Sequence, residues 1–432
     1  MAEKIGLFES VSMAVGGMVG GGIFAVLGVV AGAAGPTSWL AFVVAGVVAA
    51  CAGYSFVRLN DLIDGTGGPI TYIEQFTGNT TLAGMAGWTF VIGYVGTMGL
   101  YAYAFGGYVT ELIGVSTVYG VPLRPVWSLL AVASFVALNV FGAHASGRTE
   151  DVLVGLKVLI LLVFGLGGTY YAFSNGELSS GLSSLGGGPV IAAAIAFVAF
   201  EGWELLMFDQ DSIANPKETV RRAIYLSIAI ATGLYVLVAI PTTNLLTPAA
   251  IQQHSETALA IAAEPFLGRI GFVLISVAAL FSTGSALNAT LFSASRLSKQ
   301  MIAEDLLPQQ LERDDGDEPV RALLLLGVLT GGLVTVGSLN AISSFASLSF
   351  ITIFGAISAL ALRERSGWRT AVVPAIGSVG AVGTTVALLW HLYDTEPGVF
   401  VTVLVLVVAV AGVELLYFER QPLEEWIEAA GG

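Results

Sequence analysis

Charge is what this chain has least of. Asp, Glu, Lys and Arg make up 11% of its 432 residues, under half of the roughly 25% usual in a soluble domain. Lysine is scarcest, with only Lys4, Lys157, Lys217 and Lys299 against thirteen arginines. Hydrophobic residues account for 55% and mean hydropathy is +0.83, which excludes an ordinary soluble protein and implies a membrane one. The single cysteine, Cys51, excludes a disulfide within the chain and reads as a small packing residue. The sequence has no cluster with metal-ligand spacing and no nucleophile triad. Residues 16–22 are glycine-rich but lack the Lys-Ser/Thr of a phosphate-binding loop and lie in an apolar run. These absences argue against an enzyme, a resident cofactor or metal, and a nucleic-acid partner.

Long apolar runs are abundant instead. A helix needs about 20 apolar residues to cross the hydrocarbon. Runs of that order fall at about 10–31, 36–57, 84–112, 126–143, 150–173, 188–208, 222–246, 267–295, 320–337, 341–361, 369–391 and 397–418. Twelve spans are therefore expected in one transmembrane unit covering 1–432, with a tight turn from Gly337 to Asn340 between the ninth and tenth. The first run ends in Ala31-Gly32-Ala33-Ala34, which imitates a signal-peptide cleavage site, but its length and the spans that follow make it a retained helix. With the N-terminus inside, fourteen basic residues fall in cytoplasmic segments and only Arg124 and Arg269 fall outside. The expectation is a multi-pass protein of the cytoplasmic membrane, both termini inside, with a short tail at 419–432. Net charge is −14, and acids crowd segments such as Glu312-Arg313-Asp314-Asp315-Gly316-Asp317-Glu318. Such a surface suits very high salt, so a halophilic source is expected.

Two runs are wrong for simple spans. The first contains Gly16-Gly17-Met18-Val19-Gly20-Gly21-Gly22-Ile23-Phe24, and each glycine weakens a helix by roughly 0.8–1 kcal/mol relative to Ala. Gly16/Gly20 and Gly17/Gly21 suit close helix packing. The adjacent triplet 20–22 predicts unwinding, with freed amides able to hold a carboxylate. The sixth run reads Phe197-Val198-Ala199-Phe200-Glu201-Gly202-Trp203-Glu204-Leu205. A centrally placed acid costs about 2.5–3.5 kcal/mol on insertion scales, so Glu201 and Glu204 should face a cavity or a partner. Solvation of Glu204 by a water-filled vestibule, and pairing of Glu201 with Lys157, are both open. Interruptions five helices apart point to an inverted repeat with a site at mid-membrane.

Lys157 is the only basic residue inside a span. A lysine in apolar surroundings is costly when charged and can exchange a proton; as an alternative it is a strut holding carbonyls of the first span. Span 8 offers Ser282, Thr283, Ser285 and Thr290 for a sodium ion, although such hydroxyls also bond back to their own helix. His144, His254 and His391 fall in loops or at span ends and read as solvated surface residues.

Taken together, these residues resemble the amino acid–polyamine–organocation (APC) permeases. The carriers are Gly17-Met18-Val19-Gly20-Gly21-Gly22-Ile23-Phe24, Gly35-Pro36 with Trp39, Gly65-Thr66-Gly67-Gly68-Pro69, Phe200-Glu201-Gly202-Trp203, Asn215-Pro216-Lys217, Leu291-Phe292-Ser293-Ala294-Ser295-Arg296 and Leu307-Pro308, in order along the chain. The chain departs from the family at Ser212, where an acid is common, and at Arg221, where proline is usual. The resemblance implies an all-α polytopic protein with a LeuT-like 5+5 inverted repeat, broken helices 1 and 6, and two extra C-terminal helices. Spans 1–5 would occupy about 10–173, spans 6–10 about 188–361 and spans 11–12 about 369–418. It implies a substrate carboxylate on the amides of Val19, Gly20, Gly21, Gly22 and Ile23. The substrate amine would lie near Phe197, Ala199, Phe200, Glu201 and Gly202, with Phe200 or Trp203 as a cap.

Many such permeases carry a lysine in the fifth helix, which implies proton coupling through Lys157; Ser282 and Thr283 serve the sodium alternative. The implied function is a secondary active transporter, a proton-coupled amino-acid symporter working by alternating access between two sides of a lipid bilayer. Sodium-coupled or exchange transport of a cationic amino acid or polyamine is the first alternative. A membrane amino-acid sensor without flux is the second.

Overall fold

The computed structural model describes residues 4–63, 67–141, 147–304, 306, 307, 311 and 319–418. Gly65, Thr66, His144, Pro308, the acidic run at 312–318 and the expected tail at 419–432 lie outside the described residues.

Helices occupy every stretch expected to span. The first half runs α1 (Leu7–Gly17), a π-helical turn Met18–Gly22, α2 (Ile23–Ala34), α3 (Ser38–Leu62), the short α4 (Pro69–Thr77), α5 (Thr80–Ile113), α6 (Leu123–Val140) and α7 (Gly147–Ser174). The second half runs α8 (Gly188–Ala196), α9 (Leu205–Phe208), α10 (Pro216–Leu245), the short α11 (Pro248–Gln253) and α12 (Ala258–Ile261), α13 (Glu264–Ala303), α14 (Val320–Val336) and α15 (Leu339–Arg363). Helices α16 (Trp368–Thr395) and α17 (Pro397–Phe418) end the described chain. A two-residue hairpin, β1 (Thr117–Val118) with β2 (Val121–Pro122), links α5 to α6.

Eight helical runs are long and apolar enough to cross a membrane, the first being the continuous Leu7–Leu62; Val320–Val336 and Pro397–Ala409 are shorter apolar helices. The chain is a multi-pass, all-α membrane protein. At 34 residues, α5 is not among the eight runs, because it is rich in glycine, threonine and tyrosine. Phe90, Tyr94, Tyr101 and Tyr108 on it are buried by the helices around it. A helix enclosed by others needs no lipid-compatible surface, so hydropathy understates it.

Local chemistry sets the helix ends. Asn79 caps α5 by accepting from the Leu82 amide at 3.0 Å, and Ser338 caps α15 by accepting from the Ala341 amide at 3.2 Å. The second cap produces the tight turn expected before Asn340.

The ends of the helices gather on two faces. On the face that holds the N-terminus, the Ile5 amide donates to the Ser212 carbonyl and the Ala214 amide to the Ile5 carbonyl, both at 2.9 Å. Arg221 pairs with Asp61 at 2.7 Å, Arg296 with Asp209 at 2.9 Å, and the Ser212 hydroxyl donates to Asp209 at 2.9 Å. Ser212 and Arg221, the two positions that depart from the family pattern, thus both make contacts at this face. The exposed ion pairs contribute about 0–1 kcal/mol each. The buried amide of Asn60 donates to Gln210 at 2.9 Å, and the Tyr72 hydroxyl donates to the Gly67 carbonyl at 2.6 Å, closing this end with a drier network. On the opposite face Trp39 donates to the Ser180 carbonyl at 2.9 Å, and Asn340 donates to Glu396 at 2.9 Å. A cavity of about 420 Å³ opens there, with Gly28 and Gly32 of α2, Ile195 of α8, Ser344 of α15 and His391 and Glu396 of the α16 end in its walls.

Candidate functional site

Both interrupted spans meet at the centre of the bundle, but the two interruptions differ in form. The first widens rather than unwinds. Met18–Gly22 is a π turn, and Gly17, Met18, Gly22 and Ile23 keep right-handed helical dihedrals. In place of the unwinding expected at 20–22 there is a wide helical turn, a form that recurs at functional sites. Packing demands the small residues: a Cβ on Gly20 would lie 2.8 Å from the Ala286 Cβ, and one on Gly22 would lie 2.6 Å from the Ala199 Cα. The sixth span does break. After α8 comes a 3₁₀ turn, Phe197–Phe200; Glu201 is extended, with ψ 140°, and Gly202 has φ +131° before α9 resumes. Gly17 and Gly202 put backbone against backbone, so that a Cβ on Gly17 would lie 2.9 Å from the Gly202 Cα.

Neighbouring helices hold the broken span open. The Tyr235 hydroxyl donates to the Ala199 carbonyl at 2.7 Å. Ser347 donates to the Ile195 carbonyl at 2.8 Å and accepts from the Val198 amide at 3.1 Å. The Glu201 amide takes the Val198 carbonyl at 3.2 Å. The Ala199 and Val198 carbonyls thus each hold one donor and keep a second lone pair for another.

A stripe of tyrosines on α5 lines both interruptions. Tyr94, Tyr101 and Tyr108 are spaced by seven residues, two helical turns, and all are fully buried. Tyr108 donates to the Phe24 carbonyl at 3.1 Å, and Tyr101 donates to Glu201 Oε2 at 3.0 Å. The Tyr94 hydroxyl has no hydrogen-bond partner among the described residues. Sequence reasoning missed this stripe, although the heptad spacing of one residue type in a glycine-rich run was a usable signal. Glu201 is 2% exposed and Glu204 0%, so Glu204 reaches no vestibule. Glu204 turns back instead: its Oε2 accepts from the Gly202 amide at 2.8 Å, while Oε1 has no hydrogen-bond partner among the described residues. Tyr101→Phe leaves Glu201 Oε2 buried without this donor, so it is expected to cost about 1–3 kcal/mol of stability. A fall in the unfolding midpoint of the detergent-solubilised protein checks it; no change means that a different donor serves Glu201.

The two aromatic candidates separate. Phe200 packs edge-on to Tyr235, with centroids 5.3 Å apart. Trp203 is fully buried between Phe56 and Phe354, at 5.1 and 4.9 Å, in the aromatic core rather than over a cavity. Phe200 is buried as fully as Trp203, so what separates the two is their packing partners: Tyr235 of α10 for Phe200, and Phe56 and Phe354 for Trp203.

Lys157 is 4% exposed, and its Nζ donates to Ser285 Oγ at 2.7 Å. Ser285 donates to the Ser282 carbonyl at 3.2 Å, and the Ser282 hydroxyl donates to the Val19 carbonyl at 3.0 Å. A line of hydrogen bonds thus runs from the fifth span through the eighth to the π turn of the first. Glu201 engages Tyr101 rather than forming the pair with Lys157 that the sequence left open. Thr283 bonds back to the Ala279 carbonyl at 2.7 Å, which turns it away from this line. His254, expected to be solvated, instead lies 3.0 Å from Glu111 through Nδ1, because the segment that carries it folds onto α5.

The profile of the amino acid permease family matches residues 5–413 of this sequence. The chain belongs to that family. It thereby falls in the APC superfamily that the motifs implied. This permease is 32% identical over 418 residues to an uncharacterized protein of Methanocaldococcus jannaschii, covering 96% of this chain and 95% of that one. It is 28% identical over 387 residues to the inner membrane transport protein YbaT of Escherichia coli, covering 90% and 88%. It is 27% identical over 318 residues to the serine/threonine exchanger SteT of Bacillus subtilis, covering 71% and 70%. The permease is accordingly a membrane transport protein with a small-molecule substrate.

Proposed function

We propose that this permease is a secondary active transporter of an amino acid, coupled to protons and working by alternating access. In this reading α1–α7 and α8–α15 are the two halves of a LeuT-like repeat, and α16 and α17 are appended to it. The N-terminal face is cytoplasmic and the cavity face is external, in the cytoplasmic membrane. The substrate carboxylate lies at Val19–Ile23, and its amine beside Phe197–Gly202 under Phe200. The observation that carries the reading is the hydrogen-bonded line from Lys157 through Ser285 and Ser282 to Val19. Gain or loss of a proton on Lys157 changes what Ser285 and Ser282 can offer the π turn, which is where substrate is placed. The network closing the N-terminal face and the cavity on the other are what an outward-facing or occluded carrier needs. The serine/threonine exchanger among the relatives supports a small amino acid.

Sodium coupling is a second reading, favoured by the contact of Ser282 with the Val19 carbonyl. An ion bound between these two groups would join the same two spans.

Uptake of radiolabelled amino acids and polyamines into proteoliposomes, with proton or sodium gradients imposed in molar potassium chloride, tests the proposal. Accumulation of an amino acid with the proton gradient is expected, and activity is expected to persist at that salt because of the −14 net charge. Accumulation with sodium alone moves coupling to spans 1 and 8. Saturable binding without flux makes the protein a sensor and overturns the proposal.

A further inference from the structure

The segment between α10 and α13 folds over the end of α2, and three consecutive residues seat it. Ser255 lies with its backbone on Gly28 of α2, where any Cβ would strike the Ser255 carbonyl. Glu256 packs on Gly107 of α5, where a Cβ would lie 2.9 Å from its Cγ. His254 Nδ1 is 3.0 Å from Glu111 Oε1 of α5. The guanidinium of Arg124, at the start of α6, stacks 3.5 Å over the Tyr103 ring, and its buried Nη1 has no hydrogen-bond partner among the described residues. Tyr103 and Tyr108 complete the titratable groups that α5 turns towards Glu256. Helix α2 brings no titratable side chain. At the start of α13, Glu264 and Arg269 pair with each other at 3.7 Å. On its inner side the same segment walls the 420 Å³ cavity through Ile251, Gln252 and Ser255.

We propose that residues 247–263 are a lid over this cavity and that Glu111, His254, Glu256 and Arg124 form its ionisable latch, shut in mildly acidic medium and released as that medium turns alkaline. Two groups act in the same direction. A positive charge on His254 attracts Glu111 and offsets the nearby Glu256; without it two carboxylates share a half-buried site with Arg124 alone to balance them. Burial pushes the Glu256 carboxyl up from its usual range, Arg124 and His254 oppose that shift, and Glu111 adds to it. A carboxyl that holds its proton more tightly with the lid shut favours the shut lid at low pH. That preference fades as pH rises through the raised value. The two glycine seats make the docking rigid, so the charge balance, rather than slack in the contact, decides whether the lid stays down. The latch is independent of which solute the permease carries.

The test places a cysteine on the cavity wall, Ser344→Cys, in a Cys51→Ser background. It measures the rate of labelling by a membrane-impermeant maleimide from pH 5.5 to 8.5. A cysteine at exposed Tyr119 in the same background corrects for thiol ionisation. The corrected rate is expected to be about two- to fivefold slower at pH 5.5 than at pH 8.5, the size that partly exposed charge pairs support. Glu111→Gln and Glu256→Gln are expected to flatten the profile. Hydrogen exchange of residues 247–263 in the unsubstituted protein, corrected for intrinsic rates, should show the same pH dependence and needs no variant. A corrected labelling rate that does not vary with pH, or a wild-type slope retained in both glutamine variants, overturns the latch.

Discussion

Lys157→Ala is expected to abolish accumulation driven by a pH gradient while leaving exchange of substrate across the same vesicles. One pH unit across the membrane is worth about 1.4 kcal/mol per proton, enough for about tenfold accumulation by a one-to-one symporter. Without the amine the accumulation ratio should fall to about one. The physical basis lies in the Ser285 hydroxyl. A charged Lys157 can only donate, so Ser285 must accept from it at 2.7 Å and turn its own proton to the Ser282 carbonyl at 3.2 Å. A neutral amine can accept, which lets Ser285 turn round and frees the Ser282 carbonyl one step from the hydroxyl that holds Val19. A strut would need only a donor, and arginine supplies one that never loses its proton. Lys157→Arg therefore separates the two roles. Accumulation by the arginine variant would mean that the residue only holds the helices together.

Gly202→Ala is expected to reduce the initial rate of uptake by more than about 30-fold, with a lowered unfolding midpoint. Gly202 sits at φ +131°, a conformation that L residues rarely adopt. Its added Cβ would lie 2.7 Å from the Met18 amide nitrogen and 2.8 Å from the Gly17 carbonyl carbon. Those are backbone atoms of the first span and cannot rotate aside. Local strain of about 1–3 kcal/mol and overpacking of about 1–3 kcal/mol together give about 2–6 kcal/mol. At 1.4 kcal/mol per factor of ten, the middle of that range exceeds a 30-fold loss. Gly155→Ala, with nothing within 4 Å of its added Cβ, is the control and should leave uptake unchanged. A normal rate for Gly202→Ala would mean that the contact of spans 1 and 6 is not kept during turnover.

Much of the architecture was legible because membrane helices advertise themselves. Backbone groups in lipid must bond within their own segment, so each span is a continuous run that composition reveals without knowledge of its neighbours. The glycines at 16–22 and the acids at 201 and 204 located both interruptions for the same reason: each is costly in an isolated span. The form of the interruptions was not legible. Whether Met18–Gly22 unwinds or widens depends on Ala199 and Ala286 pressing on it from other helices, and those contacts are remote in sequence. Tyr101 and Tyr235 were missed as site residues, and Ser285 was read only as a hydroxyl available to sodium, because a serine or tyrosine in an apolar helix has many local roles. Only the approach of a second helix selects one of them.

By itself, then, the sequence determined a polytopic all-α membrane protein with two interrupted helices and one intramembrane lysine, since these follow from local cost and periodicity. The tertiary structure alone decided that Lys157 reaches Val19 through two serines, that Trp203 joins the aromatic core and that His254 binds Glu111. Each of these depends on partners more than a hundred residues away, brought within hydrogen-bonding or van der Waals range by helix packing.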